Sequence, residues 1–334
     1  MASIYEIARE AGVSASTVAR ALSGKGYCSP DKRKQILALA KKMNYSPSHA
    51  ARSLKSNITN KVLFCIPDIY NPFYFRMIQG VSEVLEGHGY LPLLCPTKGN
   101  LKTELKMLQN LREGYGDGMV FVSFNFTPEN ISIVNSCSRP VVLTNNYPEN
   151  QGDQFDSVYI DTFEGIAMAC RHFIAQGIRD IGYIGGVPSA QTGRERQNGY
   201  ISALEKAGIP LTPDWIQEGD FSRASGEEAM RRLSKLDKLP EAIVVANDLM
   251  AIGALQVCRE LNIRVPEDLA IIGMDDIDSA QLLGLSSIQM LEDEIGRNAA
   301  ELLMDRIING TRPRKTIRLL PKLSIRASSE KVNA

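Results

Sequence analysis

The sequence is poor in the residues that most enzymes use for catalysis. Its 334 residues include only three histidines, and none of them stands in a pattern typical of a nucleophile or a metal site. No strand-like segment is followed by the glycine pattern of a dinucleotide site, and there is no Walker-type phosphate loop. These absences argue against an enzyme, although they leave catalysis by carboxylate groups open.

Disulfide, zinc and membrane signals are also missing. The six cysteines form no Cys-x-x-Cys pair and no zinc-like spacing, which favours reduced thiols in the cytoplasm. No apolar segment resembles a signal peptide, and no apolar run is long enough to span a bilayer. We therefore expect a cytoplasmic protein with no membrane partner and no cofactor.

The chain has no net charge, but its charges are unevenly distributed. The first 60 residues carry ten Lys or Arg and three Asp or Glu, a net charge of +7. The rest of the chain holds 28 basic and 35 acidic residues, a net charge of −7. A basic segment in front of an acidic body indicates that the segment meets a polyanion. The length predicts two or three domains.

The basic segment contains three short helical patterns. Ser3 and Glu6 form a capping box, and apolar residues then recur at helical spacing until a glycine. Ser14 or Ser16 can cap a second helix, and residues 29–30, Ser-Pro, can start a third. This order of helices is typical of a helix-turn-helix unit.

In such a unit the second helix lies in the major groove of DNA, with its N-terminal residues at the base edges. Arg20 can donate two hydrogen bonds to a guanine, whereas short hydroxyl side chains read bases weakly or hold phosphates. Together with the positive charge, the pattern predicts a DNA-binding domain over residues 1–46. A small helical bundle with a solvated basic face is the alternative. The predicted DNA-contacting residues of this helix are Ser14, Ala15, Ser16, Thr17 and Arg20.

The segment resembles the N-terminus of the lac repressor and gal repressor family. The matching residues are Ile4, Ile7, Ala8, Ala11, Gly12, Val13, Ser14, Thr17, Val18 and Arg20. Residues 47–60 resemble the family's hinge, whose two copies pair and insert a leucine into the minor groove. Leu54 and Lys55 are the corresponding DNA contacts here, and a plain linker is the alternative. The resemblance implies a homodimer that binds a palindromic double-stranded operator.

From residue 61 onward, short apolar strands alternate with amphipathic helices, which predicts an α/β fold with doubly wound sheets behind the all-α head. The predicted strands are 62–66, 91–95, 118–122, 141–144, 181–184, 242–246 and 270–273. Three helices are predicted at 75–86, 194–207 and 250–261.

The body also resembles the family, in the segments CIPDIYNPFY (65–74), RQNGYISALEKAGI (196–209) and VPEDLAIIGMDDI (265–277). Family bodies are related to periplasmic sugar-binding proteins and hold an effector between two lobes. The resemblance implies an effector-binding core over 61–334. Its N-lobe would span about 61–160 and 291–320, and its C-lobe about 161–290 and 321–334.

Carried over position by position, the resemblance implies a ligand site. Its residues are Phe73, Tyr74, Asn145, Asp161, Arg196, Phe221, Asn247 and Asp275. Taken singly, Asp275 could be a turn cap, Arg196 a surface ion pair and Phe73 a core residue. Where the family has Gln-Pro, this chain has Met290 and Leu291, which predicts an effector less sugar-like than the family average.

We expect a transcription regulator, a repressor, controlled by a small-molecule effector such as a sugar or related metabolite. A DNA-bound regulator whose core senses a protein partner is the alternative from a second class. An α/β enzyme with a DNA-binding head is a third hypothesis, and it lacks recognisable catalytic residues.

Overall fold

A computed structural model describes residues 3–24, 26–45, 58–123, 128–145 and 155–330. The predicted hinge contacts Leu54 and Lys55 lie outside these ranges. The chain forms two compact units, Met1–Thr59 and Asn60–Ala334.

The first unit contains helices α1 (Ile4–Ala11), α2 (Ala15–Ser23) and α3 (Pro30–Lys42). The predicted capping box is confirmed at the start of α1. The α1 helix ends at Gly12, whose φ of 63° suits a residue without a side chain.

One fully buried apolar side chain from each helix of this unit meets the other two. These are Ile7, Val18 and Ile36, which belong to one apolar cluster. Ser14, and not Ser16, is the N-cap of α2. The predicted helix-turn-helix arrangement is therefore formed around a small core.

The second unit alternates strands and helices along the chain. In order they are β1 (Lys61–Ile66), α4 (Phe73–Gly87), β2 (Leu91–Pro96), α5 (Leu101–Arg112), β3 (Gly118–Phe121), α6 (Pro128–Ser136), β4 (Val141–Leu143), β5 (Asp156–Ile160), α7 (Thr162–Ala175), β6 (Ile181–Gly185), α8 (Gln191–Lys206), β7 (Ile216–Glu218), α9 (Arg223–Leu233), β8 (Ala242–Val245), α10 (Asp248–Glu260), β9 (Ala270–Asp275), α11 (Asp278–Leu282), β10 (Ser286–Gln289), α12 (Glu292–Asn309), β11 (Thr316–Leu319) and β12 (Lys322–Ser324).

The strands form two six-stranded sheets, which define two lobes. The first lobe has the parallel order β11-β5-β4-β3-β1-β2. The second has the order β12-β10-β9-β8-β6-β7, in which only β12 runs antiparallel to its neighbour. The chain passes between the sheets after β5, after β10 and after β11. The predicted fold class is confirmed.

Both sheets reverse their order beside their first strand, between β1 and β3 and between β6 and β8. At such switch points the loops that follow neighbouring strands diverge and leave a crevice beyond the carboxyl ends of the strands. The second unit therefore carries two crevices, one in each lobe.

Close helix contact holds the first lobe together behind its sheet. A Cβ atom at Gly80 of α4 would lie 2.3 Å from the carbonyl oxygen of Asp293, and one at Gly296 of α12 would lie 2.3 Å from that of Met77. Since any side chain at either glycine would collide with backbone, these two glycines set the spacing of the two helices.

Candidate functional site

The exposed N-terminal end of α2 is held by its own hydroxyl groups. The Ser14 side chain accepts from the backbone N–H of Thr17 at 3.3 Å, and its hydroxyl also pairs with those of Ser16 at 2.8 Å and Thr17 at 2.9 Å. Ala15 lies partly buried at the first position of the helix. These contacts fix the turn that would approach DNA.

Arg20 is exposed one turn further along α2. Its Nε donates to the carbonyl oxygen of Ser16 at 3.3 Å and its Nη2 donates to the Thr17 hydroxyl at 3.5 Å. Both bonds are long and open to solvent, so a base edge can replace them at small cost.

A cavity of about 690 Å³ opens between the two lobes, where both crevices meet. Its walls come from residues that follow β1, β3 and β4 in the first lobe and β6, β8 and β9 in the second. The volume lies within the roughly 300–1,000 Å³ typical of small-molecule sites. The predicted residues brought to the cavity are Phe73, Tyr74, Asn145, Arg196, Phe221, Asn247 and Asp275.

Aromatic rings line the cavity from both lobes. Phe73 begins α4 and meets Tyr74 edge to face, with ring centroids 5.0 Å apart. Tyr74 is buried, and burial raises the pKa of its hydroxyl far above its usual range, which keeps it neutral. On the second lobe, Phe221 lies so close over Gly186 that a Cβ there would be 2.0 Å from the ring. Gly186 is thus needed for the position of this ring.

Arg196 of α8 supplies the buried positive charge of the cavity. Its Nη1 donates to the carbonyl oxygen of Ala246 at 2.5 Å, and its guanidinium carbon lies 5.3 Å from the ring centroid of Phe221. Within the described ranges, its buried Nε has no hydrogen-bond acceptor. Arg196 is therefore a buried donor held by the protein, and not a surface ion pair.

Asp275, the last residue of β9, is the buried acceptor in the cavity. It is only 3% exposed, and its φ of 122° is costly for a residue other than glycine. Burial raises the pKa of Asp275 well above its ordinary value; the charge of Arg196 opposes this rise, and Asp248 and Glu292 add to it.

The carboxyl group of Asp248 holds the turn after β9 through two hydrogen bonds. The Ser287 hydroxyl donates to Asp248 Oδ1 at 2.6 Å, and the backbone N–H of Ile277 donates to Oδ2 at 3.0 Å. Burial of this wholly inaccessible carboxyl raises its pKa to about 8. Asp248 positions the turn that carries Asp275 and does not line the cavity.

Asn247, one of the predicted ligand residues, lines the cavity, and both ends of its amide have protein partners. Its Oδ1 accepts from the backbone N–H of Met250 at 3.0 Å, which caps α10. Its Nδ2 donates to the carbonyl oxygen of Phe221 at 2.9 Å. This second bond ties the backbone at Phe221 to the start of α10, and the contact of Asn247 with a ligand stays a prediction.

Asp161 is not among the residues that line the cavity, although its neighbours Ile160 and Thr162 are, and its contact with a ligand stays a prediction. Its carboxylate accepts from the backbone N–H of Glu164 at 2.9 Å, where it caps α7, and it pairs with Arg318. A polar residue after a strand can cap the next helix or face the crevice, and Asp161 does the former. Asn145 does border the cavity, and its amide donates to the carbonyl oxygen of Ser123.

Further polar residues line the cavity that the sequence did not single out. Asp68 and Lys98 follow β1 and β2, and Thr192 and Glu195 lie in the first turns of α8. Burial raises the pKa of Glu195. Asp68 and Lys98 could be recognised by their place after a predicted strand. Thr192 lies before the predicted start of its helix at residue 194, and Glu195 lies directly after that start. No motif marks either of them.

Met290 stands at the point where the chain returns to the first lobe. It is buried and lines the cavity, so the apolar replacement noted in the sequence does change the wall of the site.

In the described part of the chain, no helix is both long and apolar enough to cross a membrane.

Both units of the chain resemble domains of known proteins. Residues 3–48 match the family model described as bacterial regulatory proteins, lacI family, and residues 170–329 match that of a periplasmic binding protein-like domain. The chain is 33% identical over 331 residues to the HTH-type transcriptional repressor PurR of Pasteurella multocida strain Pm70, which covers 98% of each chain. Identity to the PurR repressor of Yersinia pestis strain Pestoides F is 32%, over 98% of this chain and 97% of that one.

Two solved structures share the fold over nearly the whole chain. A complex of the transcriptional regulator CelR with cellobiose has 28% identity and a TM-score of 0.74, covering 98% of this chain and 100% of that one. The lac repressor dimer bound to operator and the anti-inducer ONPF has 21% identity and a TM-score of 0.86, covering 98% and 99%. The second likeness bears on the fold alone.

Proposed function

The chain belongs to the lacI family of bacterial regulatory proteins, and from this premise we propose that it is a repressor whose operator binding is controlled by a polar, ring-containing metabolite held between the lobes. It is a transcriptional regulator and not an enzyme. The observation that carries the proposal is that one cavity is lined by a buried donor, Arg196, and a buried acceptor, Asp275, with the guanidinium of Arg196 over the ring of Phe221.

The chemistry of the cavity defines the class of effector. Phe73 and Phe221 bring aromatic rings to the cavity from opposite lobes, Arg196 donates hydrogen bonds, and Asp275 accepts them. A flat or chair-shaped ring with hydroxyl or ring N–H groups on one edge satisfies all of these, which describes a sugar or a nucleobase. Met290 adds an apolar wall and favours the less hydroxylated of the two.

The binding of DNA is assigned to the first unit. We propose that α2 lies in the major groove, with Ser14, Ser16 and Thr17 at its N-terminal end and Arg20 reaching a base. The region 1–46 would be the DNA-binding domain, 47–60 the hinge and 61–334 the effector-binding core. Leu54 and Lys55 remain proposed hinge contacts.

The protein would act as a homodimer on a palindromic operator in the cytoplasm, where bacterial chromosomes lie. A twofold dimer presents two identical α2 helices, so the operator half-sites should be related by the same twofold axis. The effector would control operator binding through the two lobes, because a ligand that contacts both of them favours one lobe arrangement over another.

A thermal-shift screen of sugars, nucleobases and nucleosides tests this proposal. A ligand at about 100 times its Kd stabilises the native state by about 2.7 kcal/mol, a measurable rise in Tm. We expect one chemical class to stabilise the wild-type protein, and to stabilise the Asp275→Asn variant clearly less at the same ligand concentration. Stabilisation of both proteins alike would place the ligand elsewhere and contradict the proposed site.

A further inference from the structure

Two cysteines lie side by side at the edge of the first lobe's sheet. Cys65 of β1 and Cys95 of β2 are partners in the parallel register, and β2 is the outermost strand. In-register side chains of neighbouring strands project to the same face of a sheet. Both cysteines accordingly pack against the same apolar cluster, in which Cys65 is fully buried and Cys95 is partly buried.

The spacing of the two strands suits a disulfide bond. Neighbouring strands lie about 4.8 Å apart, and disulfide-bonded residues have Cα atoms roughly 4.4–6.8 Å apart. The Cβ atoms of a disulfide are closer, at about 3.8 Å. Closing the bond would therefore draw β1 and β2 together at this point, and bonds that require such movement are the readily reduced ones.

The two thiols differ in pKa and in accessibility, as an attacking and a resolving cysteine should. The neighbouring Cys65 thiol lowers the pKa of Cys95, whose Sγ donates to the carbonyl oxygen of Leu93 at 3.3 Å. The neighbouring Cys95 thiol, together with burial, raises the pKa of the Cys65 thiol well above its usual range. Cys95 is the more accessible of the two, so it is the thiol that an oxidant reaches first.

We propose that Cys65 and Cys95 form a reversible redox switch that responds to hydroperoxides. The Cys95 thiolate attacks the peroxide O–O bond, which breaks to give the sulfenic acid and hydroxide. The Cys65 sulfur then displaces the sulfenic hydroxyl, and with the proton of Cys65 a water molecule leaves. In total, two thiols and one hydrogen peroxide give one disulfide and two waters, and two external thiols reverse the change by exchange.

The position of the pair connects it to the cavity. The residues that follow β1 and β2 include Asp68 and Lys98, which line the cavity wall. Movement of the two strands at Cys65 and Cys95 would be passed directly to this wall. Oxidation would thus act on the effector site of the first lobe.

Peptide mapping of the full chain tests the bond itself. Trypsin places Cys65 in peptide 62–76 and Cys95 in peptide 77–98, each with a single cysteine. After stoichiometric hydrogen peroxide, alkylation and digestion without reductant, we expect the two peptides linked, at their summed mass less two hydrogens. Two of the six thiols should be lost and should return with dithiothreitol. Linkage between other cysteines, or no loss of thiols, would overturn the proposal.

Serine variants assign the roles, and Cys137→Ser is the matched control because its partly buried thiol packs on the same cluster. Cys95→Ser should abolish peroxide consumption, whereas Cys65→Ser should leave a sulfenic acid on Cys95 that dimedone traps. Cys137→Ser should retain the linked pair. Dimedone adducts on Cys95 of the wild type with no linked pair would contradict the resolving role of Cys65.

Hydrogen exchange tests the connection to the cavity. We expect oxidation of the wild type to change amide exchange in segments 67–72 and 97–100, with no such change in Cys95→Ser. Unchanged exchange in a fully oxidised wild-type protein would overturn the coupling between the switch and the cavity wall.

Discussion

The Asp275→Asn variant tests the effector site most sharply, because it keeps the size of the side chain and removes its charge. Asp275 is 3% exposed, so a ligand donor that bonds to it is shielded from water. Losing one hydrogen bond to a buried charged group costs about 1.5–3 kcal/mol. This corresponds to an affinity loss of about 10- to 150-fold.

The pH dependence of binding gives this prediction a second, independent readout. Burial raises the pKa of Asp275, so the carboxylate that accepts ligand hydrogen bonds forms only at a higher pH than usual. Effector affinity of the wild type should therefore rise with pH through that pKa. The asparagine has no proton to lose, so the variant should lack this component of the pH dependence.

Isothermal titration calorimetry with the effector found by thermal shift provides the measurement, at several pH values and fixed salt. Asp237→Asn is the matched control, since Asp237 is exposed on the second lobe and does not line the cavity. Asp237→Asn should bind as the wild type does. Wild-type affinity in Asp275→Asn would refute the role of Asp275 and leave it as a turn residue.

Three further predictions concern other parts of the molecule. Arg20→Ala should cost about 1–3 kcal/mol on the preferred operator and relax the preference at one base pair per half-site, as measured by gel shift on operator variants; an equal loss on every sequence would mean a phosphate contact. Gly186→Ala should displace the ring of Phe221 and weaken effector binding in calorimetry, with little change in operator affinity. Native Asp248, with its pKa raised to about 8, keeps a proton that the unfolded chain releases, so the unfolding free energy should fall as pH rises from about 4 to 8. Urea denaturation should show a smaller fall in Asp248→Asn, and an identical fall would contradict the protonated state of Asp248.

Local signals in the sequence were sufficient for the first unit. The Ser3–Glu6 capping box and the left-handed residue Gly12 involve only neighbours in the chain, so the sequence predicts both ends of α1. Five strands escaped prediction, namely β5, β7, β10, β11 and β12, and of these β7, β11 and β12 have no fully buried residue. The strands β11 and β12 pair with β5 and β10, whose residues lie more than 30 positions away in the chain.

The site was predictable in its outline and not in the role of each residue. Asp161 and Asn247 both stand between the end of a strand and the start of a helix, and both cap that helix. Only the second also borders the cavity. Spacing along the chain cannot separate these outcomes, because they depend on the direction in which each side chain leaves its turn. The support of Asp275 by Asp248 likewise joins residues from different strands and helices.

The reciprocity of effector and operator binding tests the central claim most directly. Effector affinity would be measured by calorimetry on the free protein and on its complex with an operator obtained by in vitro selection, at one salt concentration. We predict that the operator changes effector affinity by the same factor by which the effector changes operator affinity, a coupling of about 1–3 kcal/mol. Identical effector affinity with and without the operator would contradict a repressor controlled through the cavity between its lobes.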